Sequence, residues 1–368
     1  MVTIRRLVYR EVVAAVAFVA LGFLALFFFF DFVDELPNVG RAGTPYRLTQ
    51  ALAYVVLLMP SHLYELMPIA VLIGTIFVMA RLAHSSEFTI LRTSGLGPWR
   101  ALRALLLLGA AFALLTFATG DYLAPLADRT AQLLRARYQG PISLGQTGAW
   151  LKERQPERTF TVNVSALSPD GALRGVRIFE ADARGFMVSV TRAGQAAIGQ
   201  GAWTLRDAQK TEFTSPAGGS GQSEAGTRQY DKLDWPTSIT ADMVSVALLK
   251  PDRMATLDLF QYMRHLEANG QVSQRYEIEF WRKVFYPLSC LVMVVLALPF
   301  AYLHFRSGGI TAFVFVGVLI GISFFMLNNV FGYIGNLRNW VPWLTAAAPG
   351  LIYSMLSLGA FGWLVLRR

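Results

Sequence analysis

Six long apolar segments constrain the fold of this sequence more than any other feature. A helix that crosses a bilayer needs about 20 mostly apolar residues. Segments of about that length or longer are Val12–Val33, Leu52–Leu82, Ala101–Tyr122, Val284–Leu303, Ile310–Ile334 and Val341–Leu366. Only 15% of the residues are charged, against about a quarter in a soluble domain. The sequence therefore predicts a membrane α-helical protein with six transmembrane helices, three before and three after a long insert.

The insert between the third and fourth apolar segments has the pattern of a β domain. Alternating or β-rich runs predict strands at Thr159–Val164, Arg174–Glu180, Gly185–Arg192 and Ala202–Arg206. The Gly/Ser-rich stretch Ser215–Gly226 is predicted to be a loose loop. Several short strands without helices between them favour a small β-sandwich, jelly roll or open barrel.

These patterns divide the chain into three parts. Residues 1–137 hold the first three spans and a short helix at about 85–95. Residues 138–252 form the β domain. Residues 253–368 hold a connecting helix, predicted at Leu257–Ala268, and the last three spans.

Positive charge near the ends of the spans predicts their orientation, because cytoplasmic loops are enriched in lysine and arginine. With a cytoplasmic N-terminus, ten arginines fall on the cytoplasmic side: Arg5, Arg6, Arg10, Arg81, Arg92, Arg100, Arg103, Arg306, Arg367 and Arg368. The short loops on the other side hold three, namely Arg41, Arg47 and Arg338. Both termini are therefore predicted to be cytoplasmic and the insert extracytoplasmic, which in a Gram-negative bacterium is the periplasm.

A short polar stretch between the second and third spans has the signals of a helix about two turns long. The Ser85–Ser86 pair can cap its start, and Glu87 suits its first turn. Gly95 can end it, and Pro98 can open the following helix. A capped helix in this position can dock onto a separate motor protein. An ordinary loop between two helices explains the pattern equally well.

The common sequence motifs of ATPases, zinc proteases and serine hydrolases are missing from the sequence. It contains no Gly-x-x-x-x-Gly-Lys-Ser/Thr phosphate loop, no His-Glu-x-x-His and no Gly-x-Ser-x-Gly. The single cysteine, Cys290, and four scattered histidines argue against a metal site. Paired carboxylates, such as Asp31 with Asp34 and Glu277 with Glu279, lie at predicted membrane edges, where a solvated role is more usual than acid–base catalysis. The net charge of +9 comes without a nucleic-acid recognition motif, so we predict no nucleic-acid partner, no metal and no cofactor on this chain.

Basic residues cluster on both sides of the insert, at the predicted outer mouth of the helices. They are Arg129, Arg135 and Arg137 after the third span, and Arg275, Arg282 and Lys283 before the fourth. Such side chains can form charge-assisted hydrogen bonds with an amphiphile that carries phosphates. The alternative is that they anchor the protein to lipid headgroups. The aromatic run Phe27–Phe30 of the first span fits either lipid contact or a path for acyl chains.

The sequence resembles the LptF/LptG permease family, also called YjgP/YjgQ, over essentially its whole length. The resemblance is carried by Phe32–Leu36, by Ser86-Glu87 followed by Ser94-Gly95, by Gly148–Lys152, and by Trp281, Lys283, Phe285 and Pro287–Ser289. The motifs at Gly148 and Trp281 are more similar to the LptG branch, and an LptF-type subunit is the alternative.

This resemblance implies a function. Such proteins are the transmembrane permease half of an ABC transporter that extracts lipopolysaccharide from the inner membrane. The lipid then passes through a periplasmic β-jellyroll-like domain toward the outer membrane. The implied partners are an LptF-like permease, a dimer of an LptB-like ATPase that binds ATP and magnesium, and an LptC-like membrane-anchored bridge protein.

The resemblance also implies site residues. The docking helix for the ATPase would present Ser86, Glu87, Phe88, Leu91 and Arg92. Candidates for lipid contact are Arg135, Arg137, Phe27, Phe30, Asp31, Asp34, Ser61 and Lys283. Asp31 and Ser61 stand where familiar relatives have lysines. Two other functions are weaker: a membrane enzyme acting on envelope lipid or glycan, and a permease for another lipid or lipoprotein, although lipoprotein exporters usually have four spans.

Overall fold

The computed structural model describes residues 2–40, 45–85, 87, 97–139, 148–168, 172–199, 201–214, 224–240, 243–244, 251–302 and 309–363. The chain forms two compact units. The helical unit comprises Met1–Glu35, Val55–Asp128 and Gln274–Arg368. The insert unit comprises Leu36–Tyr54 and Arg129–Ser273.

The described residues contain nine longer α-helices, numbered here in chain order. They are α1 Val2–Glu35, α2 Leu48–His84, α3 Pro98–Ala118, α4 Ala124–Gln139, α5 Thr256–Ala268, α6 Gln274–Phe285, α7 Ser289–Ala297, α8 Ile310–Leu337 and α9 Pro342–Phe361. A π-helical turn, Thr119–Leu123, joins α3 directly to α4. The helix predicted at Leu257–Ala268 is confirmed as α5.

The predicted membrane-spanning character is confirmed. Among the described residues, five helical segments are long and apolar enough to cross a membrane: Arg5–Asn38, Leu48–His84, Trp99–Arg135, Ile310–Leu337 and Pro342–Phe361. Helix α6 and Ser289–Ala301 pass the same test together, with a bend of 46° between them, and make a sixth span when counted as one broken span. Pro287 lies in the break, where its ring and missing N–H oppose a continuous helix. The span predicted at Val284–Leu303 therefore contains a break, and the helix before that break begins at Gln274.

Helix α2 is the centre of the helical unit. In its most apolar window 83% of the residues are buried, whereas the corresponding figure for α1 and α8 is 17%. Close packing depends on small residues: a Cβ added at Gly74 would lie 2.7 Å from the backbone nitrogen of Val16 on α1. Small residues allow this kind of approach between membrane helices. The exposed apolar faces of α1 and α8 suit contact with lipid or with partner helices.

The insert contains a six-stranded antiparallel sheet, which confirms the predicted β domain. Its strands are β1 Ala149–Arg154, β2 Arg158–Leu167, β3 Leu173–Asp182, β4 Met187–Ile198, β5 Ala202–Thr214 and β6 Glu224–Pro236. Each strand pairs with the next in chain order, as in a meander. The predicted strands Thr159–Val164, Arg174–Glu180 and Ala202–Arg206 fall within β2, β3 and β5, whereas the one predicted at Gly185–Arg192 begins two residues before β4.

The last strand was not expected from the sequence. The loop predicted at Ser215–Gly226 is wrong for Glu224–Gly226, which begin β6; residues 215–223 lie outside the described residues. The N-terminal part of β6 is exposed and polar, so it lacks the alternation that marks a half-buried strand. Its pairing with β5, for example Gln209 with Gln229, defines the strand instead.

One face of the sheet forms an aromatic core. Trp203 is 0% exposed and its Nε1 donates to the carbonyl of Ile239 at 2.9 Å. Trp235 packs edge-on against Trp203, with ring centroids 5.4 Å apart, and against Phe160 at 5.6 Å. This edge-to-face geometry is favourable for aromatic rings.

Buried polar groups lie at one end of the sheet. Glu153 on β1 accepts hydrogen bonds from the Thr237 hydroxyl and from the backbone and side chain of Ser238. His265 on α5 lies close enough to be influenced by Glu153. Burial lowers the pKa of His265, and the negative charge of Glu153 opposes that shift.

The turn between β3 and β4 is organised by a carboxylate. Asp182 Oδ1 accepts hydrogen bonds from the backbone N–H groups of Phe186 and Arg184, both at 2.9 Å. The bond from Phe186 is the largest cause of a lowered Asp182 pKa, and the bonds and charge of Arg184 act in the same direction.

Candidate functional site

The first predicted lipid contact, Asp31, is paired inside the helical unit. Its Oδ2 lies 2.7 Å from Nε2 of His62 on α2. Phe27, one turn earlier on α1, stacks on the His62 ring with centroids 4.6 Å apart. Because Phe27 and Asp31 are four residues apart, they lie on the same face of α1. Both side chains hold α1 against α2 in this conformation.

The neighbouring residue of α2 bonds to a different helix. The Ser61 hydroxyl donates to Asp128 Oδ2 on α4 at 2.8 Å. Asp128 is 1% exposed, so this bond lies well inside the protein. Ser61 and His62 are consecutive, and together they tie one turn of α2 to both α1 and α4.

Lys283 is buried in the described structure, at 6% exposure. Its ammonium donates to the carbonyl of Gly120 at 2.9 Å and lies 5.8 Å from the centre of the Tyr64 ring. Gly120 belongs to the π-helical turn, and such turns alter the backbone hydrogen-bond ladder of a helix. Lys283 therefore joins α6 to the α3–α4 junction.

Tyr64 packs tightly at the same place. A Cβ added at Gly120 would lie 2.3 Å from Cδ2 of Tyr64, so only glycine allows this approach. Tyr286, the residue directly after α6, contacts Tyr64 with ring centroids 5.2 Å apart, and its hydroxyl donates to the backbone carbonyl of Glu65. Sequence reasoning did not identify Gly120, Tyr64 or Asp128, since each is defined by a partner distant in the chain.

The other lipid candidates differ in exposure. Phe30 and Asp34 on α1 are exposed. In the insert unit, the guanidinium of Arg135 lies 5.3 Å from the centre of the Tyr54 ring and donates to the Tyr54 hydroxyl at 3.4 Å. Arg137 is exposed, with its guanidinium 5.9 Å from the centre of the Tyr138 ring. Arg137 is thus accessible to an anionic group, whereas Arg135 is half-buried against Tyr54.

The predicted docking segment is described only in part. Glu87 is helical and exposed, whereas Ser86, Phe88, Leu91 and Arg92 lie outside the described residues. The following helix begins as predicted: Gly97 is its extended N-cap and Pro98 occupies its first turn. Within the described part of the chain, no group of three or more His, Cys, Asp or Glu side chains could hold a metal ion.

Comparisons with known proteins agree on one family. The profile of the family described as "Lipopolysaccharide export system permease LptF/LptG" matches residues 6–367. A protein of Escherichia coli K12 named "Lipopolysaccharide export system permease protein LptG" is 28% identical over 342 residues, covering 92% of this chain and 90% of the relative. A protein of the same name from Haemophilus influenzae is 26% identical over 370 aligned positions, covering 100% of this chain and 99% of the relative.

Proposed function

Because this chain belongs to the LptF/LptG family of lipopolysaccharide export system permeases, we propose that it is the LptG-type half of a permease pair that extracts lipopolysaccharide from the inner membrane. It is a permease subunit for lipopolysaccharide export and a multi-pass inner-membrane protein. The observation that carries the proposal is the match over residues 6–367, which includes both the membrane helices and the β domain. Both relatives described above are named LptG and are matched over nearly their full length.

The chain works as one part of a transporter and is not a classical enzyme. Its sequence has no phosphate loop, so ATP and magnesium would be bound by a separate LptB-like ATPase dimer. The exposed Glu87 and the segment around it would face that ATPase from the cytoplasmic side. The ten-to-three arginine bias supports this orientation, with both termini cytoplasmic and the β domain in the periplasm.

The helix contacts suggest how movement reaches the lipid. Helix α2 ends at His84, directly before the docking segment, and its middle is tied to α1 through His62 and to α4 through Ser61. A displacement of the docking segment would therefore be transmitted through α2 to both neighbouring helices. The exposed apolar face of α1 would contact lipopolysaccharide acyl chains and the single helix of an LptC-like partner.

Docking is tested with Glu87→Ala in the complete transporter. We expect weaker co-purification of the ATPase and lower ATPase activity, because the exposed carboxylate would lose its partner on the motor. Glu157→Ala is the matched control, since Glu157 is also exposed but lies on the β domain. Equal recovery of ATPase with both variants would refute the docking role.

Mass spectrometry of the co-purified permease distinguishes an LptG-type from an LptF-type subunit. An LptG-like partner would reverse our assignment.

Transport itself is tested in proteoliposomes that contain the complete transporter. We expect ATP-dependent release of lipopolysaccharide to a soluble acceptor, and no ATP hydrolysis by this chain alone. ATP hydrolysis by the isolated chain at the rate of the full complex would overturn the proposal.

To test the alternative of a membrane enzyme, Asp31, Asp34 and Glu65 are changed separately to alanine. Loss of a chemical conversion of envelope lipid, with assembly intact, would favour the enzyme.

A further inference from the structure

A polar cleft lies between α6 and α8. Its volume is about 360 Å³, which falls in the range of small ligand sites of about 300–1,000 Å³. Polar side chains dominate its lining: Arg275, Glu279 and Arg282 from α6, and Asn329, Tyr333 and Asn336 from α8. All belong to the helical unit.

Helical spacing places these residues on two facing stripes. On α6 the three charged residues are at positions i, i+4 and i+7, and on α8 the three polar residues follow the same spacing. Residues with this spacing share one face of a helix. Asn329, Tyr333 and Asn336 thus form a row of amide and phenol groups along one face of an otherwise apolar span.

The cleft carries a net positive charge with unused donors. Arg282 donates to Glu279 at 2.8 Å and to the Asn329 side chain at 3.4 Å, which engages two of its five N–H groups. Arg275 is exposed and makes no hydrogen bond or ion pair with the described residues. One carboxylate against two guanidinium groups leaves one excess positive charge. The site therefore suits an anion that also accepts neutral hydrogen bonds.

The cleft lies near the C-terminal end of α8, beside tryptophans of the kind found at membrane interfaces. Asn336 lies next to the last residue of this helix, Leu337, and Asn329 lies eight residues before Leu337, or about 12 Å along the helix axis. Exposed Trp340 and Trp343 follow the helix end, and tryptophan is enriched where membrane helices meet the interface. Gln274 fixes this rim by donating to the carbonyl of Trp340 at 2.6 Å.

We propose that the α6–α8 cleft binds the phosphate of a membrane amphiphile, with Arg275 and Arg282 holding the anion. Asn329, Asn336 and Tyr333 donate to its phosphate or sugar oxygens. Guanidinium groups bind phosphate through paired, charge-assisted hydrogen bonds. We take lipopolysaccharide, and not bulk phospholipid, as the amphiphile that carries this phosphate. This choice rests on the proposed function.

The test measures lipid binding to the purified full chain by native mass spectrometry. The probes are diphosphoryl lipid A, its fully dephosphorylated form and phosphatidylglycerol. Arg275→Gln should weaken diphosphoryl lipid A binding about tenfold, because a charge-assisted hydrogen bond is lost. Arg275→Lys should keep part of the affinity. Arg338→Gln is the matched control, since Arg338 is an exposed arginine just beyond α8 that does not line the cleft, and it should change affinity less than twofold.

The outcomes separate clearly. Equal losses for Arg275→Gln and Arg338→Gln, or equal effects on the phosphorylated and dephosphorylated probes, would overturn the cleft as a phosphate site. Equal losses for lipid A and phosphatidylglycerol would support phosphate binding but overturn lipopolysaccharide as its source. If Arg282→Gln unfolds the chain, Glu279→Gln with Arg282→Gln keeps the net charge of the pair and tests the same donor. Normal lipopolysaccharide release together with unchanged lipid A binding in Arg275→Gln would refute the cleft while leaving the proposed function standing.

Discussion

Replacing Gly120 by alanine tests whether the π-helical turn depends on contact with Tyr64. The new Cβ would lie 2.3 Å from Tyr64 Cδ2 and 2.4 Å from Cε2, whereas carbon atoms in contact are about 3.5–4.0 Å apart. The ring must therefore move by more than about 1 Å, although it also contacts Tyr286 and Lys283. Overpacking costs about 1–3 kcal/mol, and the better helix propensity of alanine offsets about 1 kcal/mol. Because the displacement is large, we expect a net loss of stability of about 2 kcal/mol.

Unfolding of the full chain in micelles by SDS titration, followed by tryptophan fluorescence, measures this loss. Gly22→Ala on α1 is the control, since a Cβ there meets nothing within 4 Å, and it should leave stability unchanged or raise it slightly. In a Tyr64→Leu background the penalty of Gly120→Ala should disappear, because the colliding ring is gone. Equal effects of the two glycine substitutions, or an unchanged penalty after Tyr64→Leu, would refute the steric explanation.

Three further predictions concern the insert. Asp182→Asn should weaken the β3–β4 turn at neutral pH, because the hydrogen bond from the Phe186 N–H lowers the Asp182 pKa and so favours the charged carboxylate. The stability that this carboxylate gives the wild type is present above the pKa of the unfolded state and is lost as the pH falls through the lower pKa of the folded state. Amide hydrogen exchange in the turn should therefore be equal in the two proteins well below about pH 4. Burial lowers the pKa of His265, although the charge of Glu153 opposes this shift. The wild-type insert should therefore lose stability as the pH falls below about 6.5. His265→Gln should reduce that loss, measured by thermal melts at pH values of about 7.5 and 5.5. Trp203→Ala should destabilise the insert by about 3–5 kcal/mol, measured by denaturant unfolding, since the ring is fully buried.

The spans were predictable because apolar length is a local property of the sequence. Helices α8 and α9 follow directly from their apolar runs, and α3 from its proline start at Pro98. The bend before α7 was less accessible, because a proline can end, kink or begin a helix according to its neighbours. Strand β6 was missed for the opposite reason: its exposed half takes its structure from the partner strand and has no apolar alternation of its own.

The candidate site could be predicted only as a set of residue types. Asp31 and His62 are 31 positions apart, Ser61 and Asp128 are 67 apart, and the Lys283–Gly120 bond spans 163 positions. Composition and spacing carry no information about such pairs. The resemblance suggested lipid contacts for three of these residues, and those roles stay predictions. The structure adds that each of the three already has a partner within the helical unit.

Asp31 and Ser61, where the family resemblance implies lysines, have a common structural role. An aspartate at 31 cannot attract lipid phosphate, and here its carboxylate contacts the adjacent His62 ring. A serine at 61 donates instead to the buried Asp128. Both positions thus form bonds between helices where a lysine would supply a positive charge. Any phosphate entering the helical unit needs that charge from elsewhere, and in its described part the α6–α8 cleft brings Arg275 and Arg282 together.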